Sequence, residues 1–410
     1  MRVTLVSRLY DPEPAAASFR LAALVRALAA GGDDVTVLTT RYRAAPSTET
    51  ARARGDGGTV RVRRWPVLRD RTGYVRGYLQ YLSFDVPAFF RVLLGSRAEV
   101  VVVEPPPTTG VLVRLACTLR RTPYVYYAAD VWSQASQTTG AAGWVVAVLR
   151  RLERVAWSGA RRVLAVSDGV VERVRELAPR AEVVRVGNGI DTTTFSREVA
   201  VDAHTELDPY LVYAGTASEW HGAGVFVEAM HEVHASHPTA TLVFVGQGAE
   251  WDSLTRAATG LPDGVVRMLP RVDGAAAAAW LRGARASLAS VRPGTPYEFA
   301  FPTKAYASMA CGTPVVYSGA GVAGEEILAS GSGWSVPQDP AAVAAAMRAA
   351  LDAPVDAGER DGLARWAHEH VSVDAAAHQA AAAVHAAGTA AGRPGTGRPR
   401  VGRSERGDGA

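Results

Sequence analysis

Short apolar runs alternate with amphipathic segments along most of the chain. Residues 3–6 form the first apolar run, and leucine and valine then recur at helical spacing over residues 21–28. Gly31 and Gly32 end that segment, and a second apolar run follows at residues 35–40. This order of strand, helix, glycine stop and strand predicts a β-α-β unit.

The same alternation continues through the rest of the chain. Further strands are predicted at residues 100–107, 124–130, 162–168 and 182–191, and then at 211–215, 241–248, 265–269, 286–291 and 314–319. Uninterrupted apolar strands that alternate with helices are typical of a parallel sheet buried on both faces. The predicted fold class is therefore α/β, with two doubly wound, Rossmann-like parallel-sheet domains that face each other across a cleft.

A polar segment without periodicity, residues 197–208, predicts a linker between the two domains. The N-terminal domain is expected at residues 1–196 and the C-terminal domain at residues 209–365. A helix over residues 366–386 is expected to pack back towards the N-terminal domain. Residues 387–410 are mostly Gly, Arg and Pro with few apolar side chains, which predicts a disordered tail.

Composition and charge are those of an ordinary globular protein. Hydrophobic residues make up 48% of the chain, charged residues make up 20%, and the net charge is only +4, so no nucleic-acid partner is predicted. Cys117 and Cys311 lie outside any Cys-x-x-Cys spacing, which favours a reducing compartment. Residues 1–14 lack the apolar core of a signal peptide, and no apolar run is long enough to span a membrane. The expected location is the cytoplasm, with any membrane contact peripheral.

Lys304 is the one lysine among 44 basic residues. Pro302 and Thr303 predict the start of a helix that Gly312 ends, so Lys304 falls in the first helical turn. A cation is electrostatically disfavoured at that end, because the helix dipole is already positive there. We expect Lys304 and the backbone N–H groups of this turn to share an anion, the alternative being a solvated surface lysine.

Four segments follow a known family pattern in the family's order. They are VGNGIDTTTF, VFVGQGAEWDSL, LRGARASLASV and ASMACGTPVV, at residues 186–195, 243–254, 281–291 and 307–316. With them, the chain resembles the retaining nucleotide-sugar glycosyltransferases of family 4 over residues 1–386. The resemblance implies the two-domain GT-B fold, a nucleotide-sugar donor, expected to be a UDP-hexose or UDP-amino sugar, and a saccharide or lipid-linked acceptor in cell-envelope or exopolysaccharide synthesis.

The resemblance also implies that no cofactor and no metal is required. In this fold, helix N-termini and basic side chains stabilise the departing diphosphate. Glycosyltransferases of the other major fold usually hold a metal through an Asp-x-Asp motif, and this sequence contains no such motif.

The resemblance assigns residues to the donor side and the reacting centre. The predicted donor-binding residues are Gly215, Thr216, His221, Gly246, Gly248, Arg271, Val272 and Thr303, and the predicted catalytic residues are Lys304, Glu298 and Asp130. The glycines that follow strands of the C-terminal domain, Gly215, Gly246 and Gly319, could instead simply end those strands. Asp130 could cap a strand end, and His221 could be a cap or surface residue.

The chain departs from the family pattern at several of these positions. Thr216 and His221 replace the usual Arg and Lys of the strand-end motif, Ala129 replaces an acceptor-side histidine, and Ala307 replaces the second of two glutamates. Glu298 lies one place from the first glutamate. Because the chain keeps Pro-Thr-Lys, it resembles a subgroup written P-[ST]-K that acts on amino- or deoxy-hexosyl nucleotides.

Residues 60–97 carry eight arginines, two aspartates and seven aromatic residues. Such a combination suits contact with an anionic membrane surface. The alternative is that the aromatic residues belong to the core of the N-terminal domain. The aromatic residues are Trp65, Tyr74, Tyr78, Tyr81, Phe84, Phe89 and Phe90.

Two other functions compete with glycosyl transfer. The departures at Thr216, Ala129 and Ala307 would also fit a non-catalytic GT-B subunit that binds a nucleotide sugar. A nucleotide-sugar epimerase shares the fold, but it needs carboxylate and histidine acid–base groups in the cleft, and the sequence shows no convincing cluster of them.

Overall fold

The structure is a computed structural model that describes residues 1–389, apart from residues 14, 43–44, 53–56, 71–74, 76, 139–140, 199–206, 208, 296–301 and 320. The described residues form two α/β domains, each built around its own sheet. This arrangement confirms the predicted fold class. None of the helices in the described part of the chain combines the length and the hydropathy needed to span a bilayer.

The N-terminal sheet has the strand order β3-β4-β2-β1-β5-β6-β7-β8 in the described residues. All neighbours are parallel except β3, which pairs antiparallel with β4. The order reverses between β1 and β5, where ligands of such sheets bind, beyond the carboxyl ends of the strands. The strands are β1 (Arg2–Val6), β2 (Asp34–Thr40), β3 (Thr48–Arg52), β4 (Thr59–Trp65), β5 (Val100–Val103), β6 (Tyr124–Ala128), β7 (Arg162–Ala165) and β8 (Val183–Arg185). The helices are α1 (Ala16–Ala30), α2 (Tyr78–Leu94), α3 (Pro107–Arg120), α4 (Trp132–Thr138), α5 (Gly143–Ser158) and α6 (Asp168–Leu177).

The C-terminal sheet is parallel throughout its described strands, in the order β11-β10-β9-β12-β13-β14. Its order reverses between β9 and β12. The strands are β9 (Tyr210–Thr216), β10 (Thr241–Gln247), β11 (Val266–Pro270), β12 (Ala286–Val291), β13 (Val315–Gly319) and β14 (Gly333–Val336). The helices are α7 (Gly224–Ser236), α8 (Trp251–Ala257), α9 (Gly274–Gly283), α10 (Thr303–Ala310), α11 (Val322–Ala329), α12 (Pro340–Asp352), α13 (Ala357–Val371) and α14 (Val373–Thr389).

The chain ends by returning to the N-terminal domain. Helix α14 packs against α1 and against strands β5 to β7. Its His385 Nε2 lies 2.5 Å from an Asp33 carboxylate oxygen, and the other oxygen of Asp33 accepts a hydrogen bond from the Met1 amine at 2.6 Å. The helix predicted at residues 366–386 is in fact two helices that break at Ser372, because Ser372 forms a β-bridge with Ile190.

Two predicted boundaries meet the limits of the described residues. Helix α14 continues to Thr389, so the first residues of the predicted tail are helical, and residues 390–410 lie outside the described residues. Most of the predicted linker also lies outside them. Within residues 197–208, the structure describes 197, 198 and 207.

Periodicity did not predict three strands, β3, β4 and β14. All five side chains of β3 are exposed, and β4 alternates arginine with apolar residues, so neither strand is an apolar run. Strand β14 is only four residues long and half-buried at the edge of its sheet. β3 and β14 are edge strands, and β4 lies directly inside β3, so these strands depend on pairing with a neighbour more than on their own hydrophobic pattern.

The aromatic residues of segment 60–97 do not share one environment. Trp65 and Phe84 stack face to face inside the N-terminal core, with ring centroids 4.9 Å apart, so the core alternative holds for these two residues. Tyr81 is half-buried against Trp132, and Phe90 is exposed. Tyr74 lies outside the described residues.

Phe84 and Phe90 of helix α2 form a matched pair for testing this division. Phe84→Ala should lower the free energy of unfolding by about 3 to 5 kcal/mol, because it leaves a cavity beneath Trp65. Phe90 is 50% exposed, so Phe90→Ala should change the same quantity by no more than about 1 kcal/mol. Urea unfolding of both variants measures the difference, and equal losses would contradict the assignment of Phe84 to the core.

Candidate active site

Three strand ends of the C-terminal sheet lie side by side and expose backbone. Gly215 of β9 pairs with Gly246 of β10, and Gly246 pairs with Pro270 of β11. Gly246 has φ +155°, and a Cβ atom there would lie 2.0 Å from the carbonyl oxygen of Gly215. Any side chain at Gly246 would therefore collide with its neighbour, so glycine is required for these two strands to end together.

Lys304 reaches across to this edge from the first turn of α10. Its Nζ donates hydrogen bonds to the Tyr213 hydroxyl and, at 3.1 Å, to the carbonyl oxygen of Thr216. The same Nζ lies 3.8 Å from the centre of the Tyr213 ring. Lys304 forms no ion pair with any residue that the structure describes, and burial lowers its pKa to about 7. The site thus holds an ammonium group whose protein partners are neutral oxygens and a ring.

His221 lies beside Lys304 but is itself neutral. The His221 side chain is buried and packs against Trp220, with ring centroids 3.6 Å apart and the ring planes tilted by 35°. Its Nδ1 accepts a hydrogen bond from the Ser218 N–H at 3.1 Å, and burial together with the nearby Lys304 lowers the pKa of His221 to about 3. A neutral His221 can offer only its Nε2–H, so the positive charge of this corner comes from Lys304.

The remaining predicted donor residues lie along the same carboxyl edge. Thr216 and Gly248 end or follow β9 and β10, and Arg271 and Val272 follow β11. The structure therefore brings the predicted donor-binding residues to one edge of the sheet. Glu298 lies outside the described residues.

A cavity of about 820 Å³ separates the two domains. Asp130 and Trp132 line it from the N-terminal domain, Thr303 and Tyr306 line it from α10, and Trp366 lines it from α13. The exposed Asp130 and the helix turn that carries Lys304 therefore border the same space, whose volume lies in the range of small-molecule sites.

Comparison with known families agrees with this architecture. The model described as "Glycosyl transferase 4-like domain" matches residues 16–189, and the model described as "Glycosyl transferases group 1" matches residues 208–353. The first match covers strands β2 to β8 of the N-terminal sheet, and the second covers the edge that carries the glycines and Lys304. The chain belongs to the GT-B glycosyltransferases.

Individual relatives of this glycosyltransferase are distant. A glycogen synthase of Mycobacterium tuberculosis is 29% identical over 231 residues, which cover 54% of this chain and 54% of the relative, so the match spans about half the length of that protein. Sucrose-phosphate synthase from Thermosynechococcus elongatus superimposes with a TM-score of 0.68 at 17% identity, covering 95% of this chain and 100% of the other. Anabaena HepE in complex with UDP gives a TM-score of 0.62 at 16% identity, covering 94% and 100%. The structural likenesses support the fold.

The polar lining of the glycosyltransferase cavity joins the two domains. Arg185 Nε lies 3.1 Å from an Asp168 carboxylate oxygen, and its Nη2 lies 3.7 Å from Glu326 on α11. Glu326 also accepts a hydrogen bond from the Tyr306 hydroxyl at 3.0 Å. Carboxylates, an arginine and aromatic rings around one cavity are the groups that hydrogen-bond and stack on saccharides.

A second polar cluster lies where the N-terminal sheet reverses, and the sequence did not point to it. Arg20 pairs with Glu104, which also accepts a hydrogen bond from Ser7 at 2.9 Å, and Arg20 donates to Asn188 at 3.3 Å. Arg20 and Glu104 are both buried. Ser7 and Glu104 follow β1 and β5, so only the strand order, which brings these strands together, reveals the cluster.

Tyr213 is the other residue that sequence reasoning missed, and it fixes the position of the Lys304 ammonium. Its hydroxyl accepts from Lys304 and donates to the Thr216 carbonyl at 3.0 Å, while its ring packs against Phe226 and Phe244. The available signal was weak, because Tyr213 stands in an apolar strand where any large side chain fits the pattern.

We expect Tyr213→Phe to lower the pKa of Lys304 below its present value of about 7, because the ammonium loses an oxygen partner while the ring remains. Because Lys304 is the one lysine, ¹⁵N-lysine labelling gives a single side-chain signal whose titration by NMR reports this pKa directly.

Tyr210→Phe is the matched control. Tyr210 lies on the same strand and is equally buried, but its hydroxyl donates to the Trp280 carbonyl at 2.8 Å. Removing the Tyr210 hydroxyl should leave the pKa of Lys304 unchanged. A midpoint near the usual lysine value of about 10.4 in the parent protein would contradict the burial of this ammonium.

Proposed function

We propose that this protein is a retaining glycosyltransferase that moves a sugar from a nucleoside diphosphate, UDP in the first instance, to an acceptor hydroxyl in cell-envelope or exopolysaccharide synthesis. The observation that carries the proposal is Lys304, an ammonium without a carboxylate partner among the described residues, at the start of α10 and beside the glycine strand ends. A diphosphate supplies the missing anion. The complexes of HepE with UDP and with UDP-glucose support this class of donor.

The donor end of the site stabilises charge that appears as the sugar leaves. As the bond between the anomeric carbon and the diphosphate oxygen breaks, negative charge collects on the diphosphate. The N-terminus of α10 and the Lys304 ammonium then oppose that charge in a site of low dielectric. The neutral His221 adds one N–H donor without adding charge.

The acceptor end positions a hydroxyl across the cavity. Asp130 is exposed towards this space and can accept a hydrogen bond from the acceptor. The family resemblance implies that the departing phosphate takes the proton of the acceptor hydroxyl on the same face of the sugar. The oxygen of that hydroxyl forms the new bond to the anomeric carbon, so the enzyme contributes orientation and electrostatic stabilisation.

The pH dependence of catalysis should expose the role of Lys304. In the free enzyme, Lys304 is protonated below its pKa of about 7 and neutral above it. Donor binding needs the charged form, so kcat/KM for the donor should fall by up to about tenfold for each pH unit above that value. Arginine stays charged, so Lys304→Arg should lose this alkaline decline while recovering only part of the activity, because its planar fork does not fill the place of a compact ammonium.

Lys304→Ala should lower kcat/KM by about 100-fold or more, the loss typical of removing a group that stabilises developing charge. Its thermal stability should stay close to that of the parent protein, because burying a cation without a counter-ion stabilises nothing. The test measures the donor affinity, turnover and melting temperature of Lys304→Ala and Lys304→Arg. Parental activity in Lys304→Ala would place the diphosphate elsewhere.

We also propose that the reaction needs no metal ion. The support is the absence of an Asp-x-Asp motif from the sequence together with the cationic helix end described above. Within the described residues, no group of three or more His, Cys, Asp or Glu side chains could hold a metal ion. Activity should survive excess EDTA, and complete loss with EDTA followed by rescue with Mn²⁺ would overturn this part of the proposal.

A non-catalytic nucleotide-sugar-binding subunit is the second candidate. It is favoured by Ala307, which is buried in the core beside Cys311 and cannot replace the carboxylate that the family usually has there. Donor hydrolysis distinguishes the two candidates. Slow release of the sugar without acceptor requires a catalyst, whereas donor binding without turnover under all conditions fits the binding subunit.

The proposed setting is the cytoplasm, at the inner face of the cell membrane if the acceptor is lipid-linked. The predicted membrane contact through residues 60–97 rested partly on Trp65 and Phe84, which the structure places in the core. Any membrane contact through this segment is therefore left to its exposed side chains, such as Phe90.

A further inference from the structure

Helix α2 exposes an apolar stripe along its whole length. Its outward side chains recur three or four residues apart, and Leu79 and Leu94 at its two ends are 68% and 78% exposed. This spacing follows one face of a helix. The exposed residues are Leu79, Leu82, Val86, Phe90 and Leu94. Since the opposite face of α2 buries Phe84 and Ala88, the stripe is a second apolar face that the fold does not cover.

The neighbouring helices extend this stripe into a surface. Helix α2 packs on α3, and α3 packs on α5. Helix α3 exposes Leu115 and Leu119, and α5 exposes Trp144 and Val148, with Trp144 69% exposed. We call this surface the α2–α3–α5 face, defined by these four residues and the five of the stripe. It holds nine of the thirteen large hydrophobic side chains that are exposed in the described part of the chain.

The charge of these three helices has one sign. They carry six arginines, none of which forms an ion pair with a described residue: Arg91, Arg114, Arg120, Arg150, Arg151 and Arg154. Their two carboxylates, Asp85 and Glu153, are buried and accept hydrogen bonds from Thr109 and from the backbone of Ser133. Arg151 and Arg154 are exposed, whereas the other four arginines are partly buried and contact the protein, Arg91 over the Trp65 ring and Arg114, Arg120 and Arg150 through hydrogen bonds to neutral oxygens. The face therefore combines exposed apolar side chains with positive charge that no carboxylate of these helices offsets at the surface.

We propose that the α2–α3–α5 face binds the surface of an anionic lipid bilayer. Leucine, valine, phenylalanine and tryptophan side chains would enter the boundary between headgroups and acyl chains, while the arginines contact lipid phosphates. A second copy of the chain fits this face poorly, because a two-fold contact would bring two surfaces of the same positive sign together, including Arg151 and Arg154 of each copy. The positive charge thus selects the bilayer over self-association.

The placement of the face suits an enzyme whose acceptor is held in the membrane. Helices that connect parallel strands run antiparallel to them, so α2 and α5 begin at the cleft edge of the sheet. Tyr81, near the start of α2, contacts Trp132, which lines the interdomain cavity. Leu79, Leu82 and Trp144 therefore lie at the cleft end of the face. The inference deepens the proposed function by naming its membrane partner, and it rests on that function only for the identity of the acceptor.

Vesicle flotation of the full chain tests the proposal without any substrate, so its result is independent of transferase activity. The protein should float with phosphatidylcholine vesicles that contain phosphatidylglycerol and remain in solution with phosphatidylcholine alone. Binding should weaken as salt rises from about 0.1 M to about 1 M, since the Debye length falls from about 10 Å to about 3 Å. Equal binding to both vesicle types, or to neither, overturns the proposal.

Variants of exposed residues locate the contact without disturbing the core. Val86→Gln with Phe90→Gln should lower the vesicle partition coefficient at least about tenfold, because two apolar side chains no longer enter the interface. Arg151→Gln with Arg154→Gln should lower it by a similar factor of about ten and reduce its salt dependence. Two matched controls change exposed residues of the C-terminal domain. The control for the apolar variant is Leu328→Gln with Val355→Gln, and the control for the arginine variant is Arg256→Gln with Arg267→Gln.

The outcomes separate the possible occupants of the face. Loss of binding in the face variants, with normal binding in the controls and unchanged melting temperatures, supports the proposal. If sedimentation shows a dimer that the Val86 and Phe90 changes dissociate, the face is an interface between copies and the proposal fails. If the face variants bind vesicles like the parent protein, the membrane contact lies elsewhere and the proposal also fails.

Discussion

A pair of backbone hydrogen bonds holds the end of the N-terminal domain against the turn between α13 and α14. The Ile190 N–H donates to the Val371 carbonyl at 2.8 Å, and the Ile190 carbonyl accepts from the Val373 N–H at 2.8 Å. Gly189 has φ +72°, and a Cβ atom there would lie 2.5 Å from the Val373 Cα. Only glycine allows the end of the N-terminal domain to approach the turn between α13 and α14 this closely. Because Gly189 and Val371 both line the cavity, this contact is also part of its wall.

The cavity lining near this contact and the strand ends of the C-terminal sheet differ in charge. On the side of the cavity that this contact borders, Asp130, Asp168 and Glu326 outnumber Arg185. At the strand ends of the C-terminal sheet, the described partners of Lys304 are neutral oxygens. Carboxylates suit neutral hydroxyl groups, and an uncompensated ammonium suits a diphosphate. This difference in charge agrees with the proposed division between an acceptor side and a donor side.

The sequence predicted the parts of this protein that follow from local pattern and missed those that depend on contact between distant segments. Apolar runs predicted the central strands, since a parallel strand buried on both faces must be apolar whatever its neighbours are. The exposed strand β3 and the role of Tyr213 depend on which segments pair, and no local pattern contains that information. In α2, composition suggested a membrane surface, but only the direction of each side chain separates buried Phe84 from exposed Phe90.

The choice of lysine at residue 304, in a chain that otherwise uses arginine, agrees with the chemistry of the proposed diphosphate site. An arginine cannot lose its proton, so in the absence of donor it would remain a poorly solvated cation without a counter-ion. A lysine avoids that cost by releasing its proton, which agrees with a pKa lowered to about 7. Of the three N–H donors of its ammonium, two are used by the Tyr213 hydroxyl and the Thr216 carbonyl, which leaves one for a ligand. Binding of a diphosphate would raise the pKa of Lys304 again, so the amine would regain its proton. At neutral pH, Lys304 can therefore be neutral without donor and charged when donor is bound.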